Sequence, residues 1–414
     1  MWSFETDAEF QAELDWMKTF VDEKIVPIES HRPDRQEFAE LIVPLQETVK
    51  QRGLWAAHLS PELGGRGFGQ LKLGLMHEII GRCVVAPYVF GNQAPDSGNS
   101  EILALHATEQ QREQWLVPLL DGRIRSSYAM TEPGAGADPT LLATRATQVE
   151  GGWRLDGEKW FITNASAADF MIVMAVTDPD ARPHERASQF IVPTTTPGLK
   201  IVREIGTLED SRPEWGRLEN HSEVILQDVR VGADAMLGPR GQGFRIAQER
   251  LGPGRIHHCM RWIGQAGRAL ELLCARALTR YSHGSLLSDK QTVQNWIAES
   301  WADLHAARLM TLHAAWKIDN YGVKEARTEI SAIKFRGAQM LHDVIDRAMQ
   351  VHGALGLTTD LPLQDMYRRA RSARIYDGPD EVHRQSVARA VLKSHTATHP
   401  VPSATVPETA TRAH

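Results

Sequence analysis

Three runs of residues in this chain have the types and spacing to do chemistry. In Thr131-Glu132-Pro133-Gly134-Ala135-Gly136-Ala137-Asp138, two glycines beside a proline let main-chain amides come close to a flat, negatively charged molecule. About thirty residues on, Lys159-Trp160-Phe161-Ile162-Thr163-Asn164 closes a strand-like segment with an aromatic ring and a hydroxyl that could meet the same molecule. Near the C-terminus, Tyr376-Asp377-Gly378-Pro379-Asp380-Glu381-Val382-His383-Arg384 sets a carboxylate against a glycine that permits a tight turn.

The elements that must carry these runs can be read from periodicity. Phe10, Leu14, Met17, Val21 and Ile25 recur every three or four residues, one apolar stripe of an amphipathic helix that Pro27 should end or bend. Residues 61–70 are glycine-rich and predict a loop; no strand precedes them, so they are not a dinucleotide fingerprint. Further helices are expected to about residue 122. The pattern then changes. Val149, Trp153 and Leu155 flank Gly151-Gly152, a hairpin signal, and residues 170–176, 189–192 and 224–231 predict further strands. After Gly243 helices return: Trp262, Ala266, Ala269, Leu273 and Ala277 form one core face, and Val293, Ile297, Trp301 and Leu304 are expected to form another. A β-rich insert between helical regions is an α+β arrangement, mostly α, without the alternation a doubly wound sheet needs.

Bulk properties narrow the function. A net charge of −6 leaves no basic excess for a nucleic-acid partner. Arg368, Arg369, Arg371 and Arg374 cluster, and the reading adopted for them is an ion-paired or solvated helix face. Cys83, Cys259 and Cys274 have no CxxC spacing and fit a reducing compartment. His257-His258-Cys259 should not bind metal, because adjacent helical residues point about 100° apart. The start is acidic rather than signal-like and no run of about 18 apolar residues occurs, so a cytoplasmic protein without a membrane span is expected.

The runs at 131–138, 159–164 and 376–384 together resemble the acyl-CoA dehydrogenase family, over about residues 1–394. The resemblance implies FAD as cofactor, an N-terminal helical domain (1–125), a middle β-barrel-like domain (126–238) and a C-terminal four-helix bundle (239–394); the Thr/Ala/Pro-rich composition of 395–414, without periodicity, predicts a disordered tail. It implies that Tyr128, Met130, Thr131, Gly136 and Ala137 hold the flavin ring, Thr131 and main-chain amides meeting its pyrimidine edge. Phe161-Ile162-Thr163 matches the Trp-Ile-Thr that covers the flavin, with Phe keeping the aromatic face. Arg280, Ser282 and Gln291 match a run whose arginine pairs with the FAD pyrophosphate of a neighbouring subunit. Gln350, Gly353 and Ala354 match one that reaches the adenosine half across the interface. Pro379 and Glu381 complete the cofactor set, and self-association into a homodimer or homotetramer is expected.

Asp377 falls on the family's catalytic-base position, usually glutamate, with Tyr376 and Gly378 beside the substrate. In a closed apolar pocket its pKa would be raised. Being one methylene shorter, it needs backbone or substrate about 1 Å closer. The Asp-Gly-Pro-Asp-Glu-Val-His run occurs in a branch that resembles the dehydrogenase part of animal proteins fused to a kinase-like domain. Ala94-Pro95-Asp96-Ser97-Gly98-Asn99 and the stretch from Arg250 to Arg261 look like that branch too. Some branches move the base to a helix position that is Gly254 here, and Glu249 is out of register by more than a turn. Ala137 stands where serine is common, leaving only a backbone contact to substrate. Arg255 is a candidate for the CoA or acyl channel. The expected reaction is α,β-dehydrogenation of an acyl-CoA, with electrons passed to electron-transfer flavoprotein or a similar soluble acceptor. A nitroalkane-type oxidase and a non-catalytic flavin-binding scaffold are the other readings of the same residues.

Overall fold

A computed structural model describes residues 5–31, 35–209 and 220–395. The expected tail lies, from residue 396 on, outside the described residues. The chain folds as three consecutive bodies: helices, a sheet, and helices again.

Asp7 caps the first helix, α1 (Ala8–Phe20), by accepting from the amide of Phe10. The stripe predicted there is its core face, with Phe10, Leu14, Met17, Val21 and Ile25 all buried. The helical path does not end at Pro27. It widens into one π turn at Val21–Ile25 and continues through Val26–His31, so the missing proline N–H falls beside an already loosened ladder. Helices α2 (Arg35–Gln51), α3 (Gln70–Ile80) and α4 (Asp96–His106) follow, with shorter helical segments at Ala86–Val89 and from Glu109 to Leu120; the expected glycine-rich loop before α3 holds a single 3-10 turn, Pro61–Leu63.

The second body is an eight-stranded sheet: β1 (Ser126–Ala129), β2 (Arg145–Val149), β3 (Gly152–Thr163), β4 (Phe170–Val176), β5 (Ala187–Pro193), β6 (Leu199–Glu204), β7 (His221–Gly232) and β8 (Met236–Leu237). Its order is β6-β7-β3-β2-β4-β5-β8, with β1 parallel to β4. The predicted hairpin is the β2–β3 connection, where Val149 pairs with Gly152. The two halves of the sheet meet at one β2–β4 pairing, Arg145 with Val176, and share a core in which Trp153 stands edge-on to Phe190 at 5.5 Å.

The third body contains α5 (Gly243–Thr279), α6 (Gln291–Tyr321), α7 (Arg327–His352), α8 (Leu363–Ser372) and α9 (Asp380–His395). Helix α7 packs against each of the others. Helices α3 and α5 approach so closely that a Cβ on Gly264 would lie 1.9 Å from the Glu78 carbonyl oxygen. The stripe from Trp262 to Ala277 is buried as predicted. The second stripe needs correction. Trp301 is exposed and stacks on His305, because the buried face of α6 is Ser300, Ala307, Thr311 and Ala314, about 100° away. Small residues fill that face, letting α6 sit close to its neighbours.

Candidate active site

The two central runs meet at the end of β3. Glu132 is buried and accepts from the amides of Ala143 and Thr144. It also pairs with the fully buried Lys159, Nζ to Oε1 2.8 Å. Lys159 donates further to the carbonyls of Met130 and Met174 (3.1 and 2.6 Å), and the Trp160 amide donates to the Thr131 carbonyl (2.9 Å). Burial alone would neutralise this lysine; Glu132 opposes it, leaving the ammonium at about 8. The loop beyond turns at Pro133-Gly134, with the Ala135 amide on the Glu132 carbonyl and Ala135 buried as an anchor. Gly134 and Gly136 face open space: a Cβ on either would meet no atom within 4 Å.

A bulge in β3 between Lys159 and Ile162 decides which side chains face outward. Ile162 turns into the core, whereas Phe161 takes a left-handed φ of 57° and is 48 % exposed. The Thr163 hydroxyl lies 3.1 Å from His221 Nδ1. Tyr128, on β1, accepts from Gln189 and lies under the Arg250 guanidinium, 4.3 Å from its ring. An open loop, an exposed ring and a hydroxyl therefore share one end of the sheet, and these residues fit a flavin.

Arg250 leads to the second centre. It belongs to a face of α5 on which Arg250, Gly254, His257, His258 and Arg261 recur at helical spacing. With Asp377, and with His58, Asn92 and Glu101 from the first body, this face lines a cavity of about 40 Å³. Asp377 sits at a left-handed φ of 54° and Gly378 at 100°. Such a turn needs support. Arg255 donates through Nε and Nη2 to the Asp377 carbonyl (3.1 and 3.0 Å), and His383 Nε2 lies 3.2 Å from the same oxygen. The fully buried Lys334 donates to the Ala373 carbonyl at 2.7 Å and reaches that of Gly378 at 3.5 Å. Its ammonium stands over the rings of Trp262 and Tyr376, and Trp262 donates to the Tyr376 hydroxyl. Asp380 opens α9 and accepts from Arg374.

The Asp377 carboxylate itself meets His258, Nε2 to Oδ2 3.2 Å. Its surroundings correct the apolar pocket expected from sequence. Burial pushes the carboxyl up, but the His258 hydrogen bond and the charges of the nearby Arg255 and Arg250 outweigh it, so its pKa is lowered. Glu101, across the cavity, goes the other way and is pushed up to about 7 by burial.

Arg255 is not in the cavity wall but beneath the turn, since residue 255 points about 100° away from Gly254. Tyr376 and Gly378 flank Asp377 as expected. Glu381 is exposed, and Pro379 lies between the turn and α9. Arg280 and Ser282 belong to a hairpin, β9 (Tyr281–Ser282) with β10 (Ser285–Leu286), after α5, and Gln291 opens α6. Gln350, Gly353 and Ala354 close α7 and are exposed, as are Arg280 and Gln291. The sheet thus assembles Tyr128, Met130, Thr131, Phe161, Ile162 and Thr163, while these bundle residues stand on outer surfaces. His257, His258 and Cys259 diverge to His77, Asp377 and the Ile333 carbonyl. Of the arginine cluster, Arg369 and Arg374 pair with Asp365 and Asp380. Sequence reading missed His258, Arg250, Arg261, His58, Glu101 and Lys334 as site residues. A signal existed for α5, whose polar residues at 250, 257, 258 and 261 share one helical face.

Comparison with known proteins bears directly on this arrangement. Family models for the acyl-CoA dehydrogenase N-terminal, middle and C-terminal domains match residues 7–123, 127–228 and 241–392. The chain belongs to the acyl-CoA dehydrogenase family. It is 43% identical over 362 residues to a probable acyl-CoA dehydrogenase, FadE2, of Mycobacterium tuberculosis, covering 86% of this chain and 87% of that protein. It is 39% identical over 389 residues to acyl-CoA dehydrogenase family member 10 of Mus musculus, covering 91% of this chain but only 36% of that protein. Among solved structures, a putative acyl-CoA dehydrogenase from Mycobacterium abscessus superposes with a TM-score of 0.88 at 36% identity, covering 94% of this chain and all of that one. The chain is accordingly an FAD-dependent acyl-CoA dehydrogenase by family, with the three-body fold that the resemblance implied. No helix among the described residues is long and apolar enough to cross a membrane.

Proposed function

We propose that this acyl-CoA dehydrogenase oxidises the α,β bond of an acyl-CoA thioester to the 2-enoyl-CoA, with Asp377 as the base that removes the α proton. The observation that carries the reading is the Asp377 carboxylate at the cavity wall, with Arg250 linking that wall to Tyr128 beside the proposed flavin site. FAD, when bound, supplies the acceptor for the β hydride. Thr131 and the amides around Gly136 and Ala137 would hold its ring, and Phe161 and Thr163 would cover it. The main-chain amide of Gly378 or of Asp377 is suited to the thioester oxygen as enolate character develops. Arg280, Gln291, Gln350 and Gly353 would serve the cofactor of a neighbouring subunit, consistent with their exposure. Electrons then leave to electron-transfer flavoprotein or a comparable soluble acceptor.

The cavity wall bears on the acyl group. His58 Nδ1 and His257 Nε2, which have no hydrogen-bond partner among the described residues, would stay unmet against a plain alkyl chain. An acyl group oxygenated near its reacting carbons suits them better. The test is anaerobic mixing of FAD-loaded protein with straight, branched, aryl and hydroxylated acyl-CoAs, following the visible flavin band. Bleaching in wild type and none in Asp377→Asn, with FAD retained, is the expected result. An active Asn variant would remove Asp377 as the base, and mediator-free O₂ consumption with nitroalkanes would replace the dehydrogenase by an oxidase.

A further inference from the structure

The histidine against Asp377 is itself held. Arg261 Nη2 lies 3.1 Å from His258 Nδ1, and Arg261 Nη1 donates to the Asn92 carbonyl at 2.9 Å. A guanidinium has only donors, so Nδ1 must accept and the imidazole proton must sit on Nε2. That proton points at Asp377 Oδ2. Among the described residues Oδ1 has no such partner. The ring is wedged by Tyr376 and Trp262, at centroid distances of 5.1 and 6.3 Å, which fixes its plane.

We propose that His258 is a positioning residue for the base: locked by Arg261 as the Nε2–H tautomer, it fixes the Asp377 carboxylate through Oδ2 and leaves Oδ1 as the atom that accepts the α proton. This rests on Asp377 being the base. The proton would leave carbon for Oδ1, the electron pair of that C–H bond would become the new Cα–Cβ π bond, and the β hydrogen would depart with its own pair as hydride to FAD when bound; His258 neither gains nor loses a proton. The role differs from a proton shuttle, which would need Nδ1 free. It also accounts for the run from Arg250 to Arg261, which supplies the carbonyl clamp (Arg255), the tautomer lock (Arg261) and the donor (His258) from one helix.

Other charged groups around Asp377 enter any pH profile: Arg250 and Arg255 on α5, Lys334 on α7, His383 on α9, and His58 and Glu101 across the cavity. Burial lowers His258 despite Asp377, in keeping with a neutral ring.

The test has two arms. In the first, ¹⁵N spectra of the resting protein, with histidine signals assigned by His258→Gln, should show one neutral Nε2–H tautomer for residue 258 through the neutral range. In Arg261→Met the same residue should become easier to protonate, its pKa moving upward. A resting Nδ1–H tautomer overturns the proposal. In the second, His258→Leu should keep FAD and KM while slowing flavin reduction about tenfold to a hundredfold and moving the acid limb of its pH profile upward. His258→Gln, which retains a donor, should recover part of the rate. Unchanged rate and unchanged acid limb in His258→Leu overturn it. If Asp377→Asn remains active, the base assignment has failed, and the first arm still reads the Arg261–His258–Asp377 chain independently.

Discussion

Lys159 Nζ lies 2.8 Å from Glu132 Oε1, with both side chains buried, and this pair ties the glycine-bearing loop after β1 to the bulged end of β3. Two stretches nearly thirty residues apart become one platform through it. Lys159→Met would strand a buried carboxylate and should cost about 3–5 kcal/mol. The denaturant midpoint should fall and FAD should be lost on gel filtration. Adding Glu132→Gln to Lys159→Met should restore much of the stability, because the uncompensated charge is gone. A double variant as unstable as the single one would show that the pair acts through packing rather than charge.

Lys334 supports the Asp377 turn from below through the carbonyls of Ala373 and Gly378. Lys334→Met keeps the volume and removes the donor. Flavin reduction by a good substrate should slow about a hundredfold, since small misplacements of a base are expensive, while bound FAD per chain stays constant. A wild-type rate would remove Lys334 from the turn's support.

Acidification should destabilise the fold through histidines buried neutral. His383 is pushed from 6.5 down to about 4, by burial first and then by Arg255. The unfolded chain therefore binds the proton more readily, and stability is lost as pH falls from 6.5 toward 4. At pH 5 the contribution of His383 is about 2 kcal/mol. Urea unfolding at pH 7 and pH 5 measures it, and His383→Gln should shrink the difference between the two.

Arg280 is exposed, follows the last turn of α5 and has no acidic partner among the described residues. If it reaches a neighbouring subunit's cofactor, Arg280→Gln should leave apo-protein stability within about 0.5 kcal/mol. The same change should weaken FAD about tenfold or more, the worth of one charged hydrogen bond. Fluorescence titration of apo-protein with FAD, alongside sedimentation, reads both. Undiminished affinity would confine the cofactor site to one chain.

Much of this was legible in the sequence because it is local. The hairpin at Gly151-Gly152, the strand at 170–176 and the stripe from Phe10 to Ile25 each follow from periodicity and turn chemistry. The flavin platform was legible as a motif. Its assembly was not, since nothing in the composition of Glu132 or Lys159 says that they pair. Asp377 was singled out by its flanking run, yet its surroundings were misjudged, because Arg250, His258 and Arg261 arrive from a helix more than a hundred residues earlier. Trp301 failed for a related reason: a stripe names a helix face, but neighbours choose which face is covered.

Gly254 lies in the cavity wall with Asp377, and a Cβ built on it would meet no atom within 4 Å. The architecture therefore offers two doors to the same room, one on a helix and one on a turn, and furnishing either does not require rebuilding the other. In the laboratory, Gly254→Glu with Asp377→Gly would ask whether a carboxylate on the helix can take over the role proposed for the one on the turn.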